Sequence, residues 1–258
     1  MTPEGSWPKV GATLPHFGSD ADAVVRFGRA SEQAGLDGVF AFDHLWPPGE
    51  PGADALACFP TLSAVVASTT RLCVGSLVAR VSLLAPEVLV ASARALQRAS
   101  GGRMVAGVGL GDRVSAPEER AFGLDDIGDA ERLGRLEAVL GGLRAEGVPT
   151  WVGIGAPSGA PSARLRAVLE LAERHQATIC SWAARTLVGL RSALGPGPVL
   201  AWAGPTPKPA SDLAPFLDEA TQARVDWVVF GWPDDVGALG RAVGRWRAER
   251  FERKRLAE

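Results

Sequence analysis

The feature that most constrains this chain is a repeated alternation of short apolar runs with amphipathic helical stretches. Continuous apolar runs occur at residues 10–14, 38–42, 72–78, 104–108, 151–154, 178–182, 199–202 and 227–230. Between them lie stretches with helical spacing. The first opens on Ser19-Asp20-Ala21-Asp22 and stops at Gly35; the others cover 60–69, 86–98, 129–144, 162–175, 184–194, 212–221 and 236 onward. Runs without alternation are what a strand needs when both of its faces are buried in a parallel sheet. Eight right-handed strand–helix units of about 32 residues each predict a closed (β/α)8 TIM barrel, an α/β fold, as a single domain over residues 1–258. An open doubly wound sheet is the competing arrangement of the same elements.

Composition narrows the class of function. Twenty-seven Lys and Arg against 29 Asp and Glu give a net charge of −2, which provides no surplus for a nucleic-acid backbone. Cys58, Cys73 and Cys180 have no metal-ligand spacing and read as reduced thiols of a cytoplasmic protein. With only His16, His44 and His175, no metal site is expected. No leader peptide is expected at the N-terminus, and no apolar stretch is long enough to span a membrane. The chain is rich in glycine (31) and tryptophan (8) and contains no tyrosine, so a tyrosine general acid is excluded.

In such a barrel, chemistry belongs at the C-terminal ends of the strands. There the sequence places Pro15-His16-Phe17-Gly18, Asp43-His44-Leu45-Trp46, Ala79-Arg80, Gly109-Leu110-Gly111-Asp112, residues 155–159, Trp182, Trp202 and Gly231-Trp232. A mouth of glycine, histidine and tryptophan suits a planar aromatic cofactor better than a metal or a sugar phosphate. Asp43-His44 is the most chemical pair: an imidazole beside a carboxylate suits a general acid, and a loop cap beside a filler is the bland alternative. Gly107-Val108-Gly109-Leu110-Gly111 imitates a dinucleotide fingerprint, but the third glycine comes one residue early, so it reads as a strand exit. Seven basic residues between positions 241 and 255 read as the solvated face of an outer helix.

Several segments together resemble the luciferase-like monooxygenase superfamily. They are Ala34-Gly35-Leu36-Asp37-Gly38-Val39-Phe40 leading to Asp43-His44; Ala67-Ser68-Thr69-Thr70-Arg71-Leu72 with Val74-Gly75-Ser76; Pro86; Ser100-Gly101-Gly102-Arg103 with Gly107 to Gly111; and Glu118 through Phe122-Gly123. The resemblance covers roughly residues 10–145, with a fainter echo at Pro149-Thr150-Trp151-Val152-Gly153. It implies an oxidoreductase that passes hydride between reduced coenzyme F420, or alternatively FMN, and a small organic substrate, often as a homodimer. It implies proton transfer by His44 with Asp43 orienting the site. Asp43, Ser76, Leu77, Val78, Ala79, Gly109 and Leu110 are then expected at the cofactor ring, and Gly155, Ser158 and Gly159 at its phosphate side. The chain departs from the family pattern in Gln97, in Leu83-Leu84-Ala85 before Pro86, in Asp112, and in the short Ala145-Glu146-Gly147-Val148 connection. These departures are what a non-catalytic or weakly cofactor-binding paralogue on a shortened barrel would also show.

Overall fold

A computed structural model describes residues 7–112, 115–155, 162–182, 187–195, 200–207 and 213–257. Strand β1 (Lys9–Thr13) is followed by α1 (Ala21–Gln33), β2 (Gly38–Ala41), α2 (Cys58–Ser68), and a third strand interrupted into β3 (Cys73–Ser76) and β4 (Ala79–Arg80). Then come α3 (Pro86–Ala99), β5 (Met104–Gly109), the short α4 (Ala116–Ala121), α5 (Asp129–Ala145), β6 (Thr150–Ile154), α6 (Ala163–Arg174), β7 (Thr178–Trp182) and α7 (Leu187–Leu194). The series ends with β8 (Leu200–Pro205), α8 (Leu213–Gln222), β9 (Val225–Gly231) and α9 (Val236–Ala257).

Every strand pairing is parallel, in the order β3-β2-β1-β9-β8-β7-β6-β5-β4, and β3 also pairs with β5. That last pairing, Val74 to Met104 and Gly75 to Val105, closes the sheet into a (β/α)8 barrel. The open-sheet alternative is thereby removed. Local chemistry sets the helix ends. The Asp20 carboxylate accepts from the Ala23 N–H at 2.9 Å, Pro86 opens α3, and Gly35 takes φ +77° just past α1.

Two cores result. Between strands and helices lies a continuous layer of Val, Leu and Ala that includes Leu62, Leu89, Leu140, Leu217 and Trp246. Inside the barrel, Phe40, Trp151 and Trp227 form the floor: Phe40 stacks on Trp151 at 5.0 Å, and Trp227 meets Phe40 edge-on at 5.6 Å. The floor requires glycine on neighbouring strands. A Cβ on Gly75 would stand 2.7 Å from the Phe40 ring, and one on Gly11 also 2.7 Å. Part of the glycine and tryptophan excess therefore closes the bottom of the barrel rather than lining its mouth. Trp202 likewise departs from its expected place, because it packs in the outer layer against Phe216 at 4.5 Å. No helix of the described residues is long and apolar enough to cross a membrane.

Candidate active site

The C-terminal ends of the strands surround a cavity of about 800 Å³. His44 and Asp43 leave β2 into this cavity, and Arg80 enters from β4. Arg80 holds the turn at Asp43 through both its backbone and its side chain. Its backbone N–H donates to the Asp43 carboxylate (2.8 Å), and its Nη2 donates to the Asp43 carbonyl (2.5 Å). The same guanidinium reaches Glu118 of α4 through two bonds, Nη2 to Oε1 at 2.9 Å and Nη1 to Oε2 at 3.2 Å. Glu118 also accepts from the Leu45 N–H and lies 3.0 Å from His44 Nδ1.

Burial would raise the Glu118 pKa, but the bonds from His44, Leu45 and Arg80 prevail and hold it at about 2. An ionised carboxylate only accepts hydrogen bonds, so Nδ1 of His44 carries a proton toward Glu118, which leaves Nε2 as the ring atom available for proton exchange. Asp43 shows the opposite balance. Burial pushes it up to about 6, against the lowering pull of the Arg80 N–H and charge.

A second buried pair continues the network. Glu119 accepts from Ser82 Oγ (2.6 Å) and from Arg132 Nη2 (3.0 Å), while Arg132 Nη1 donates to the Leu110 carbonyl at the cavity wall (2.9 Å). Gly111 is needed beside it, since its φ is +75° and a Cβ there would stand 2.8 Å from Arg132 Nη1. The loops bearing His44 and Leu110 are thus fastened through α4.

Of the expected cofactor contacts, Asp43, Leu77, Val78, Gly109, Leu110 and Gly155 line the cavity together with His44. Ser76 and Ala79 do not. Ser76 is fully buried with its hydroxyl donating to the Gly107 carbonyl at 2.7 Å, and Ala79 is buried beneath the wall. Ser158 and Gly159 lie outside the described residues. Gly109 and Gly153, which both line the cavity, also make room for Val78, since a Cβ on either would stand within 2.8 Å of its side chain. Gly155 is different, with open space where its Cβ would be. It lies near the start of α6, where Ser162 and Arg164 also line the cavity and Ser162 Oγ accepts from the Leu165 N–H (3.1 Å). His16 stays behind the wall, fully buried, with Nδ1 donating to the Leu14 carbonyl and its pKa lowered by burial. His175 caps the end of α6. Among the described residues no cluster of His, Cys, Asp and Glu suits a metal ion.

Sequence reasoning placed Arg80 at the strand ends without giving it a role, and it missed Glu118 as a member of the site. Glutamates in the first turn of a helix are ordinary companions of the helix dipole, so Pro117-Glu118-Glu119 carries no signal of its own.

The fold and the cavity define a parallel-barrel protein of the kind whose strand-end loops hold a ligand, with one fixed imidazole at the mouth. Residues 2–153, more than half of the chain, match the family model described as luciferase-like monooxygenase. The chain belongs to that family.

Two curated relatives are named F420-dependent glucose-6-phosphate dehydrogenase. The protein from Beutenbergia cavernae is 36% identical over 116 residues, which is 45% of this chain and 34% of the relative. That from Nakamurella multipartita is 36% identical over 129 residues, 49% of this chain and 36% of the relative. The matched stretch thus spans about a third of their length. Among solved structures, an F420-dependent secondary alcohol dehydrogenase in complex with an F420-acetone adduct superposes with a TM-score of 0.69 at 13% identity, covering 92% of this chain and 98% of that one. The coenzyme F420 dependent tetrahydromethanopterin reductase from Methanopyrus kandleri gives 0.64 at 13% identity, over 93% and 98%. These two establish a shared fold.

Proposed function

We propose that the protein is an F420-dependent oxidoreductase acting on a small organic substrate, with His44 exchanging the proton at Nε2. The observation that carries this reading is the His44 ring, fixed in one tautomer by a buried, ionised Glu118 at the edge of a cavity large enough for a cofactor and a substrate. The residues fit such a coenzyme. Leu77, Val78 and Leu110 offer an apolar surface to a flat ring, while the open position at Gly155 and the capped start of α6 suit an anionic tail. When bound, the deazaflavin supplies the hydride chemistry.

Asp43 and Arg80 hold the turn that carries His44, so the ring pays little reorganisation during proton transfer. The names of the curated relatives support F420 over FMN. Two large side chains near the strand ends leave the cavity open: Trp202 packs in the outer layer, and Arg80 is held by Glu118 and Asp43. A cytoplasmic homodimer belongs to the same reading.

Fluorescence titration with F420 and with FMN tests it. Saturable micromolar F420 binding is expected, and failure of both cofactors to bind removes the proposal. His44→Ala should leave F420 affinity nearly unchanged while slowing turnover by roughly 10²–10⁴-fold; unchanged turnover removes His44 from the reaction.

A further inference from the structure

Opposite the glycine-bearing β5 and β6 ends, the cavity is walled by four aromatic rings from four different strand ends: Phe17, Phe42, Trp182 and Trp232. Phe17 and Phe42 are nearly parallel, 4° between planes at 5.8 Å. Phe42 and Trp232 continue the stack at 28° and 5.4 Å, and Trp182 meets both edge-on at 5.5 and 5.6 Å. The His44 ring stands 6.4 Å from Phe17, beside this wall.

Trp232 is the informative member. Its φ is +49°, a left-handed conformation that a bulky residue adopts at a cost. The buried Thr13 hydroxyl, which accepts from the Trp232 N–H at 2.9 Å, helps hold it there. In spite of that strain the residue is 47% exposed. Backbone strain combined with an exposed indole at a cavity rim does not serve core packing. It does serve a surface kept ready for another ring.

Charge points the same way. None of the four wall residues is charged. The two cations among the described lining residues are already engaged, Arg80 by Glu118 and Arg164 by the Gly111 carbonyl (3.0 Å) and Asp129 (3.3 Å).

We infer that this half of the cavity is a substrate subsite for an uncharged planar ring, aromatic or conjugated. The ring stacks on the exposed face of Trp232, and a hydroxyl or carbonyl substituent lies toward His44. Trp232 is then the specificity-determining residue. The inference rests on the proposed oxidoreductase only for the chemistry that follows binding. The ring substrate contrasts with the sugar phosphate in the names of the curated relatives.

The test is equilibrium binding of 2-naphthol, with and without F420, to the wild-type protein and to Trp232→Phe, Trp232→Ala and Phe17→Ala, with thermal melts confirming that each variant is folded. Saturable one-to-one binding is expected, weakened about tenfold by Trp232→Ala and about threefold or less by Trp232→Phe, which keeps a stacking face. Phe17→Ala should weaken binding in the same direction, F420 affinity should hold within about threefold in all variants, and glucose 6-phosphate should not displace the probe. The subsite is overturned if 2-naphthol does not saturate, if Trp232→Ala leaves its affinity unchanged, or if glucose 6-phosphate displaces it. Binding of 2-naphthol without any binding of F420 leaves the subsite standing and removes the oxidoreductase reading instead.

Discussion

At the scale of single residues, two carboxylates bound by the same arginine, Arg80, are driven in opposite directions by their surroundings. Glu118 is surrounded by donors and stays ionised to about pH 2, whereas Asp43, with burial dominant, takes a proton near pH 6. The consequences for stability have opposite signs. Glu118 has a folded-state pKa below the ordinary glutamate value, so its contribution is present above about pH 4.3 and is lost as pH falls toward 2. Asp43 has a folded-state pKa above the ordinary aspartate value. The folded state then holds the extra proton, and stability falls as pH rises from about 4 to 6. Melts of Asp43→Asn against wild type across pH 4–7 should therefore show the variant gaining relative stability as pH rises through that window. A constant difference would remove Asp43 as the titrating group. In Glu118→Gln the acid-side loss should be shallower than in wild type. The Asp43-His44 dipeptide was conspicuous in the sequence, but the partner that gives it a fixed tautomer was not. Glu118 lies 74 residues away, and only the packing of α4 over the barrel mouth brings the two together.

At the scale of elements, periodicity placed the eight main helices to within a few residues, because each needs an apolar face against the sheet. It missed α4, which has six residues and so too few turns to show a period. It also drew one strand over 72–78 with Ala79-Arg80 as its exit, whereas β3 ends at Ser76 and Ala79–Arg80 pairs as a separate β4; the cis peptide between Leu77 and Val78 leaves no compositional mark. Helix α9 illustrates how one element divides its labour. Trp246 is buried and donates Nε1–H to Asp218 at 2.7 Å, Arg247 and Arg250 are paired with Asp37 and Asp218, and Phe251 is 64% exposed. The basic run thus includes two cross-element ties besides its solvated face. Trp246→Ala should cost about 3–5 kcal/mol in denaturant unfolding, whereas Phe251→Ser should stay within about 0.5 kcal/mol of wild type. Comparable losses in the two variants would contradict this assignment of faces.

At the scale of the whole molecule, closure of the barrel decides where the large rings go. Phe40, Trp151 and Trp227 fill the floor because Gly11, Gly38 and Gly75 on adjacent strands leave room for them. Gly75→Ala would bring a methyl group within 2.8 Å of both the Phe40 ring and the Val105 carbonyl. The expected cost is about 1–3 kcal/mol of overpacking, measured by chemical denaturation; a neutral result would mean that the floor has slack.

The sequence by itself determined the barrel. The period of strand and helix, and the apolar character of both strand faces, point to eight parallel strand–helix units closed into a barrel, and the β3–β5 pairing then removes the open sheet that the same pattern allows. It also singled out the strand-end loops and the Asp43-His44 pair, because a barrel presents its strand ends at one mouth. Only the tertiary structure decided which rings became floor and which became wall, that Ser76 and Ala79 lie under the cavity, and that Glu118 and Arg80 govern His44. Those outcomes depend on contacts between segments distant in the chain. Such contacts arise when a sheet closes on itself, and they leave no period or local motif to read.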